Sequence, residues 1–191
     1  MEKILFYADT HFNIYREFSD GDVSRLDRLL EVQQAIISYA IDSGIHNLVF
    51  LGDWFHNRSQ LNVMVLQKTL ELMYKTLNMD LQFYFLVGNH DQYDSRGIFH
   101  SLYPFKLTGV VLDNPGYVKI GERLVGFVPY HSNREWLLQS VESLVDHADM
   151  DMLCLHQGVI EAEFSNGVRA GDELFLSVKD LPSHLPIVAG H

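Results

Sequence analysis

The chain contains one cysteine, Cys154, in 191 residues. No intrachain disulfide can form, which fits a reducing compartment. Long apolar runs are also missing: Asn47 to Leu51 and Gln82 to Val87 are among the longest, far below the roughly 20 residues a membrane-crossing helix needs. A transmembrane helix is excluded on that ground. The first residues lack the basic start, apolar stretch and small-residue cleavage site of a secretory leader, because Met1 to Ala8 turn directly into strand-like sequence. The expected location is the cytoplasm. Positive charge is scarce, with 14 Lys and Arg against 25 Asp and Glu, a formal charge of −11 and a pI near 5.2. Such a chain does not hold nucleic acid by its own net field. The objection weakens if carboxylates sit on divalent cations, which can become the largest local charges in a site, or if a partner or further segment supplies basic surface. Repeats, low-complexity tracts and linkers are absent, and 47% apolar with 12% aromatic content supports one sizeable core, hence one domain over residues 1–191.

What is present alternates. Lys3 to Ala8 is a strand-length apolar run followed at once by Asp9, Thr10 and His11. Val23, Leu26, Leu29, Leu30, Ile36, Ile37, Ala40 and Ile41 recur at helical spacing, with Asp20 or Asp22 as a possible cap and Gly44 as a stop. Asn47 to Leu51 reads as a buried strand ending at Gly52-Asp53, Leu61 to Leu77 as a second helix, and Gln82 to Val87 as a third strand. This order predicts an α/β fold with a largely parallel sheet, whose ligands bind beyond the carboxyl ends of its strands. The second half is richer in strands. Tyr117 to Ile120 and Arg123 to Val128 flank a hairpin signal at Gly121-Glu122; Asn133 to Asp146 reads as helix, Met150 to Leu155 as a strand before His156, and Pro186 to Ala189 as a last strand before Gly190-His191.

The polar residues that directly follow apolar strands are Asp9, His11, Asp53, His56, Asn89, His90, Asp91, His156 and His191. Carboxylate, imidazole and amide oxygen form a mixed nitrogen and oxygen set suited to Mn²⁺, Fe²⁺ or Zn²⁺ rather than to a thiolate-seeking ion. A carboxylate can bridge two ions and a single imidazole cannot, so Asp53 is the natural bridge. Asp-x-His or Gly-Asp alone is a weak signal. Gly88-Asn89-His90-Asp91 after a strand is stronger, since a turn does not usually need Asn and His together, and the whole ordered set is stronger still.

The order Asp9-x-His11, Gly52-Asp53, Gly88-Asn89-His90-Asp91, Leu155-His156 and Gly190-His191 resembles the calcineurin-like metallophosphoesterase superfamily. Within it, Gly52-Asp53-Trp54-Phe55-His56, Leu155-His156-Gln157-Gly158 and Ala189-Gly190-His191 are similar to the SbcD-type DNA-repair nucleases. The phosphoprotein phosphatase branch would show Asp and Arg where His56 and Asn57 stand, and Glu in place of Asp91. The resemblance implies a four-layer αββα sandwich and two divalent metal ions, Mn²⁺ before Fe²⁺, Zn²⁺ or Mg²⁺. It places Asp9, His11 and Asp53 on a first metal and Asp53, Asn89, His156 and His191 on a second. His90 would be the catalytic histidine beside the scissile phosphate, and His56 would contact or orient that phosphate. A role for Asp91 in orienting His90 follows only from adjacency, and a turn or an Arg pairing is the alternative.

The implied activity is that of a Mn-dependent DNA exonuclease and endonuclease core, in bacterial or phage-infected cytoplasm, partnered by an SbcC-type ATPase. A C-terminal DNA-binding cap is expected to be absent, and the family's last motif, Gly-His-x-His, reaches only His191. Weak activity is expected of a chain lacking that last histidine. The alternatives are a stand-alone phosphodiesterase for nucleotides or small phosphoesters, and a non-catalytic binding module with an incomplete metal site. The Leu61 to Leu77 helix carries one apolar stripe at Val63, Leu66, Leu70, Met73 and Leu77 and the start of another at Leu61, Val65 and Leu72. That pattern, with the resemblance, points to a homodimer through this helix. His46, His100, His131, His147 and His184 are read as surface or hydrogen-bonded histidines, Cys154 as core, Trp54-Phe55 as core rather than a base-stacking pair, and Arg16, Arg25 and Arg28 as a solvated face.

Overall fold

The computed structural model describes residues 2–15, 24–94, 97–147, 149–163 and 176–191. The first strand, β1 (Ile4–Tyr7), leads to helix α1 (Arg25–Asp42), which begins where the Ser24 hydroxyl accepts the Asp27 N–H. The caps expected at Asp20 or Asp22, and Val23 and Arg16, lie outside the described residues. Gly44 ends the helix as read, at φ +62°, a conformation that costs glycine little. After β2 (Asn47–Phe50), helix α2 (Val63–Lys75) is capped by the Asn62 side chain on the Met64 N–H. It is shorter than the apolar pattern, because Leu61 precedes the cap and Thr76–Asn78 tightens into a 3₁₀ turn. Strand β3 (Gln82–Leu86) follows.

A 3₁₀ turn at Tyr103–Leu107 and a fourth strand, β4 (Val110–Leu112), were not legible. Three residues are too few to show a period. The rest of the chain gives β5 (Gly116–Ile120), β6 (Arg123–Val128), α3 (Arg134–His147), β7 (Met152–His156) and β8 (Ile187–Gly190). β1 to β4 form a wholly parallel sheet in sequence order. In the second sheet, β5 and β6 pair antiparallel through the Gly121-Glu122 turn, while β6–β7 and β7–β8 are parallel.

The apolar clusters define the layers. α1 and α2 pack on the outer face of the first sheet through Leu26, Ile37, Val65 and Met73 against Leu48, Phe50, Phe83 and Phe85. The two sheets face each other through Val49, Leu51, Tyr84, Leu86, Val125, Phe127 and Cys154. α3 covers the second sheet through Leu137, Val141 and Leu144 against Val128, Leu153 and Leu155. This is a four-layer αββα arrangement, and the alternating inward and outward strand residues require it. No helix among the described residues is long and apolar enough to cross a membrane.

Candidate metal centre

The carboxyl ends of β1, β2, β3, β7 and β8 converge, and every expected site residue stands at the end of one of these strands or on the short segment that leaves it. The segments after β1 and β2 run side by side: Asp9 N–H donates to Gly52 O at 3.0 Å, His11 N–H to Asp53 O at 3.0 Å and Phe12 N–H to Trp54 O at 2.7 Å. To stay in that register three side chains adopt left-handed backbone, Asp9 at φ 58°, His11 at 45° and Asp53 at 63°. Such positions cost an L-residue free energy and concentrate at functional sites. Glycines permit the closeness. A Cβ on Gly88 would lie 2.4 Å from Asp53 N, and one on Gly52 would lie against the His156 ring.

Two donor groups share Asp53. Asp9, His11 and Asp53 form one, with His11 Nε2 3.7 Å from Asp53 Oδ2 and 4.0 Å from Asp9 Oδ1. Asp53, His156 and His191 form the other. There, Asn89 Oδ1 lies 3.0 Å from His156 Nε2 and 3.2 Å from His191 Nδ1, and His156 Nε2 lies 3.4 Å from Asp53 Oδ1. His156 Nδ1 donates to Leu51 O, which leaves Nε2 as a lone pair facing the centre. Lone-pair atoms crowding one point repel unless a cation or a donated N–H proton stands between them. Ligands about 2.1 Å from an ion stand roughly 3.0 to 3.4 Å apart at octahedral or tetrahedral angles, which matches the separations around Asn89 and His156, while His11 stands farther from its two carboxylates, at 3.7 and 4.0 Å. The residues present therefore fit a divalent ion.

A third group, His11, His56 and His90, adjoins the first. The rings of His56 and His90 are stacked at 5.5 Å, and His11 meets His90 edge-on at 4.8 Å. His90 Nδ1 donates to His56 O at 2.6 Å, so its Nε2 is left free, and the His90 backbone N–H donates to Asp53 Oδ1 at 2.8 Å.

A model of the calcineurin-like phosphoesterase family matches residues 2–191. The chain belongs to that family. The DNA double-strand break repair protein Mre11 of Halobacterium salinarum is 30% identical to the phosphoesterase over 91 residues, 48% of this chain and 22% of the relative's own length. Among solved structures, a protein of unknown function from Aquifex aeolicus is similar in fold, with 14% identity, a TM-score of 0.50 and coverage of 97% of this chain and 88% of that one. The Pseudomonas putida nuclease MPE aligns at 16% identity and a TM-score of 0.47, over 98% and 78%.

Electrostatics in the phosphoesterase follow from the crowding. Burial works to raise the Asp53 carboxyl, but the hydrogen bond and charge of His156 win and hold it low. His156 is raised despite burial, chiefly by its hydrogen bond to Asp53 and that group's charge, so a proton is drawn to where a cation would stand. Burial lowers His11 and His191. Asp91 is pushed up to about 7 by burial and then by the charge of Asp53.

Asp91 does not orient His90. Its Oδ2 accepts the N–H groups of Asp53 at 2.8 Å and Gly88 at 3.0 Å, and its Oδ1 those of Trp54 at 3.0 Å and Phe55 at 3.4 Å. It clamps the β2 and β3 segments together, while His90 takes its partner from His56. Trp54 and Phe55 are fully buried, as is Cys154. Arg25 is exposed, as read for a solvated face, and its guanidinium lies 5.8 Å from the Tyr15 ring, which packs 5.4 Å from His56 at the rim. His46 pairs with Asp80, His131 stacks on Trp136, and His100, its side chain covered, pairs with Asp113, in keeping with hydrogen-bonded histidines. Sequence reasoning missed Tyr130, whose ring stacks 6.0 Å from His191, and Arg58, beside Asn89. Both directly extend strand-end segments, so a search not confined to ligand types would have included them.

Proposed function

We propose that this phosphoesterase is a two-metal phosphodiester hydrolase acting on DNA, the catalytic core of an SbcD-type nuclease. The observation that carries the reading is the shared Asp53 carboxylate, flanked by Asp9 and His11 on one side and by Asn89, His156 and His191 on the other. Divalent ions held there, with manganese proposed first, would neutralise a phosphodiester and supply hydroxide near neutral pH. The chain's own part is positional. His90, held through Nδ1, presents Nε2 to the leaving oxygen and, when its ring is protonated on both nitrogens, can deliver a proton from Nε2, a contribution of about 10²- to 10⁴-fold. His56, stacked on it, borders the same phosphate position. The motif resemblance and the partial likeness to Mre11 support DNA as the substrate.

The test is Mn²⁺-dependent hydrolysis of bis-p-nitrophenyl phosphate and of labelled linear DNA by the chain and its Asn89→Ala and His90→Ala variants. DNA cleavage that needs all three supports the nuclease. Cleavage of the small ester alone supports the second reading, a phosphodiesterase for nucleotides or small phosphoesters, which the −11 formal charge favours. We also propose a homodimer through α2. Val65, Leu72 and Met73 are buried against the sheet, whereas Val63, Met64 and Leu77 are exposed, as are Tyr103 and Leu107 on the 3₁₀ turn. Exposed apolar side chains gathered on one helix and the turn that follows in space are candidates for a contact surface.

A further inference from the structure

Arg58 lies two residues beyond His56 on the segment that carries Asp53. Its side chain reaches back to the centre, with Nη2 2.7 Å from the outer end of the Asn89 carboxamide. Three other cations are paired differently: Lys68 with Asp27, Lys106 with Asp113 and Arg134 with Asp180. Arg58 has no carboxylate within ion-pair distance among the described residues, in a chain where acids outnumber bases 25 to 14. An exposed guanidinium at the mouth of an anionic centre, aimed at a neutral amide, is built to meet an anion that arrives later.

The carboxamide has two orientations, distinguished by which of its atoms is oxygen. With oxygen outward it accepts from Arg58, and its two N–H protons face four acceptors within reach of the nitrogen: Asp53 Oδ1 and Oδ2 at 3.1 Å, His156 Nε2 at 3.0 Å and His191 Nδ1 at 3.2 Å. With oxygen inward, as an ion requires, the amide N–H₂ faces the guanidinium at 2.7 Å, donor against donor. Arg58 must then leave Asn89, and five N–H donors in a rigid fork are free for phosphate.

We infer that Arg58 is a substrate-phosphate contact that exchanges Asn89 for the phosphate when the centre is loaded. The inference rests on the phosphodiesterase reading. It makes Arg58 a competitor of the metal for the Asn89 oxygen and a partner of the substrate, so its removal has opposite effects on the two. The experiment is calorimetric titration of Mn²⁺, then of inorganic phosphate onto the Mn²⁺-loaded chain, for the parent, Arg58→Ala and Arg58→Lys, beside KM for bis-p-nitrophenyl phosphate. Arg58→Ala should bind Mn²⁺ at least as tightly as the parent, bind phosphate about ten- to a hundredfold more weakly and raise KM in parallel. Arg58→Lys should recover part of the phosphate affinity, as charge without the bidentate fork. Unchanged phosphate affinity in Arg58→Ala overturns the inference while hydrolysis by the parent leaves the enzyme reading standing. Failure of the parent to bind Mn²⁺ removes both.

Discussion

Gly88→Ala tests whether close packing of backbone sets the geometry of the centre. An ideal Cβ at Gly88 would lie 2.4 Å from both Asp53 N and Asp53 Oδ1 and 3.0 Å from Gly52 C. Real Cβ contacts stay beyond about 3 Å, so Asp53 must retreat by about 0.6 Å or more, a van der Waals necessity. It has little room to do so. Its N–H is held by Asp91 Oδ2 at 2.8 Å, its Oδ1 by the His90 N–H at 2.8 Å and its carbonyl by the His11 N–H at 3.0 Å. Overpacking of this kind costs about 1 to 3 kcal/mol, and ligand positions tolerate errors of only about 0.2 Å. Gly88→Ala should therefore lower the urea midpoint and weaken Mn²⁺ binding by at least about 10- to 100-fold, the loss typical of disturbed supporting groups. Gly116→Ala is the control: a Cβ there meets nothing within 4 Å, and alanine in a strand should stabilise by about 0.5 to 1 kcal/mol. Mn²⁺ calorimetry on the two variants decides. Parental affinity in a folded Gly88→Ala chain would refute the reasoning, because Asp53 would then be shown free to move or uninvolved.

Three further outcomes are expected. His90→Gln should reduce kcat on bis-p-nitrophenyl phosphate by about 10²- to 10⁴-fold while calorimetric Mn²⁺ affinity stays at the parental level; a parallel loss of affinity would make His90 a ligand. Burial pushes the Cys154 thiol up from 9.0 to about 12. Its folded pKa is raised, so the stability it contributes is complete below the unfolded value and lost as pH rises through about 12. Native chain at pH 8 should resist a thiol-specific reagent that reacts stoichiometrically in urea, and rapid native labelling would contradict the burial. Val63→Asp, at a side chain 76% exposed on α2, should yield a monomer by light scattering with fold and Mn²⁺ affinity intact; a parent that is itself monomeric removes the homodimer.

The architecture was legible where chemistry and periodicity coincide. β2, β3 and β6 begin at Asn47, Gln82 and Arg123, as the apolar runs do, and the polar residues read at strand ends, Asp91 excepted, gather at the centre. What the sequence hid is of three kinds. β4 is three residues long, below the length at which a pattern forms. Asp91 looked like a neighbour of His90, but its side chain turns inward to gather backbone N–H groups from a segment more than thirty residues earlier in the chain. Adjacency along a chain says nothing about that direction once the residue leaves a regular element. α2 has a two-sided apolar pattern, yet which side the sheet takes is a tertiary fact: Val65 and Met73 are buried together, although the pattern had assigned them to different stripes.

The aromatic pair Trp54-Phe55 connects the core to the centre. Trp54 is completely buried, with its ring 5.0 Å from Phe12, 5.0 Å from Phe50, 5.6 Å from Phe85 and 5.3 Å from Phe105. These rings come from β2, β3, the segment after β1 and the 3₁₀ turn, so one cluster ties together the elements beneath both donor groups. The left-handed residues above them, Asp9, His11 and Asp53, cost roughly 1 to 2 kcal/mol each. Burying a large aromatic side chain contributes about 1.5 to 3 kcal/mol, enough per ring to offset one such residue. A base-stacking role would expose these rings and loosen the segments that carry Asp9, His11 and Asp53. Their burial is thus part of the same arrangement that holds two donor groups on one carboxylate: apolar packing fixes the backbone, and the fixed backbone brings the lone pairs together.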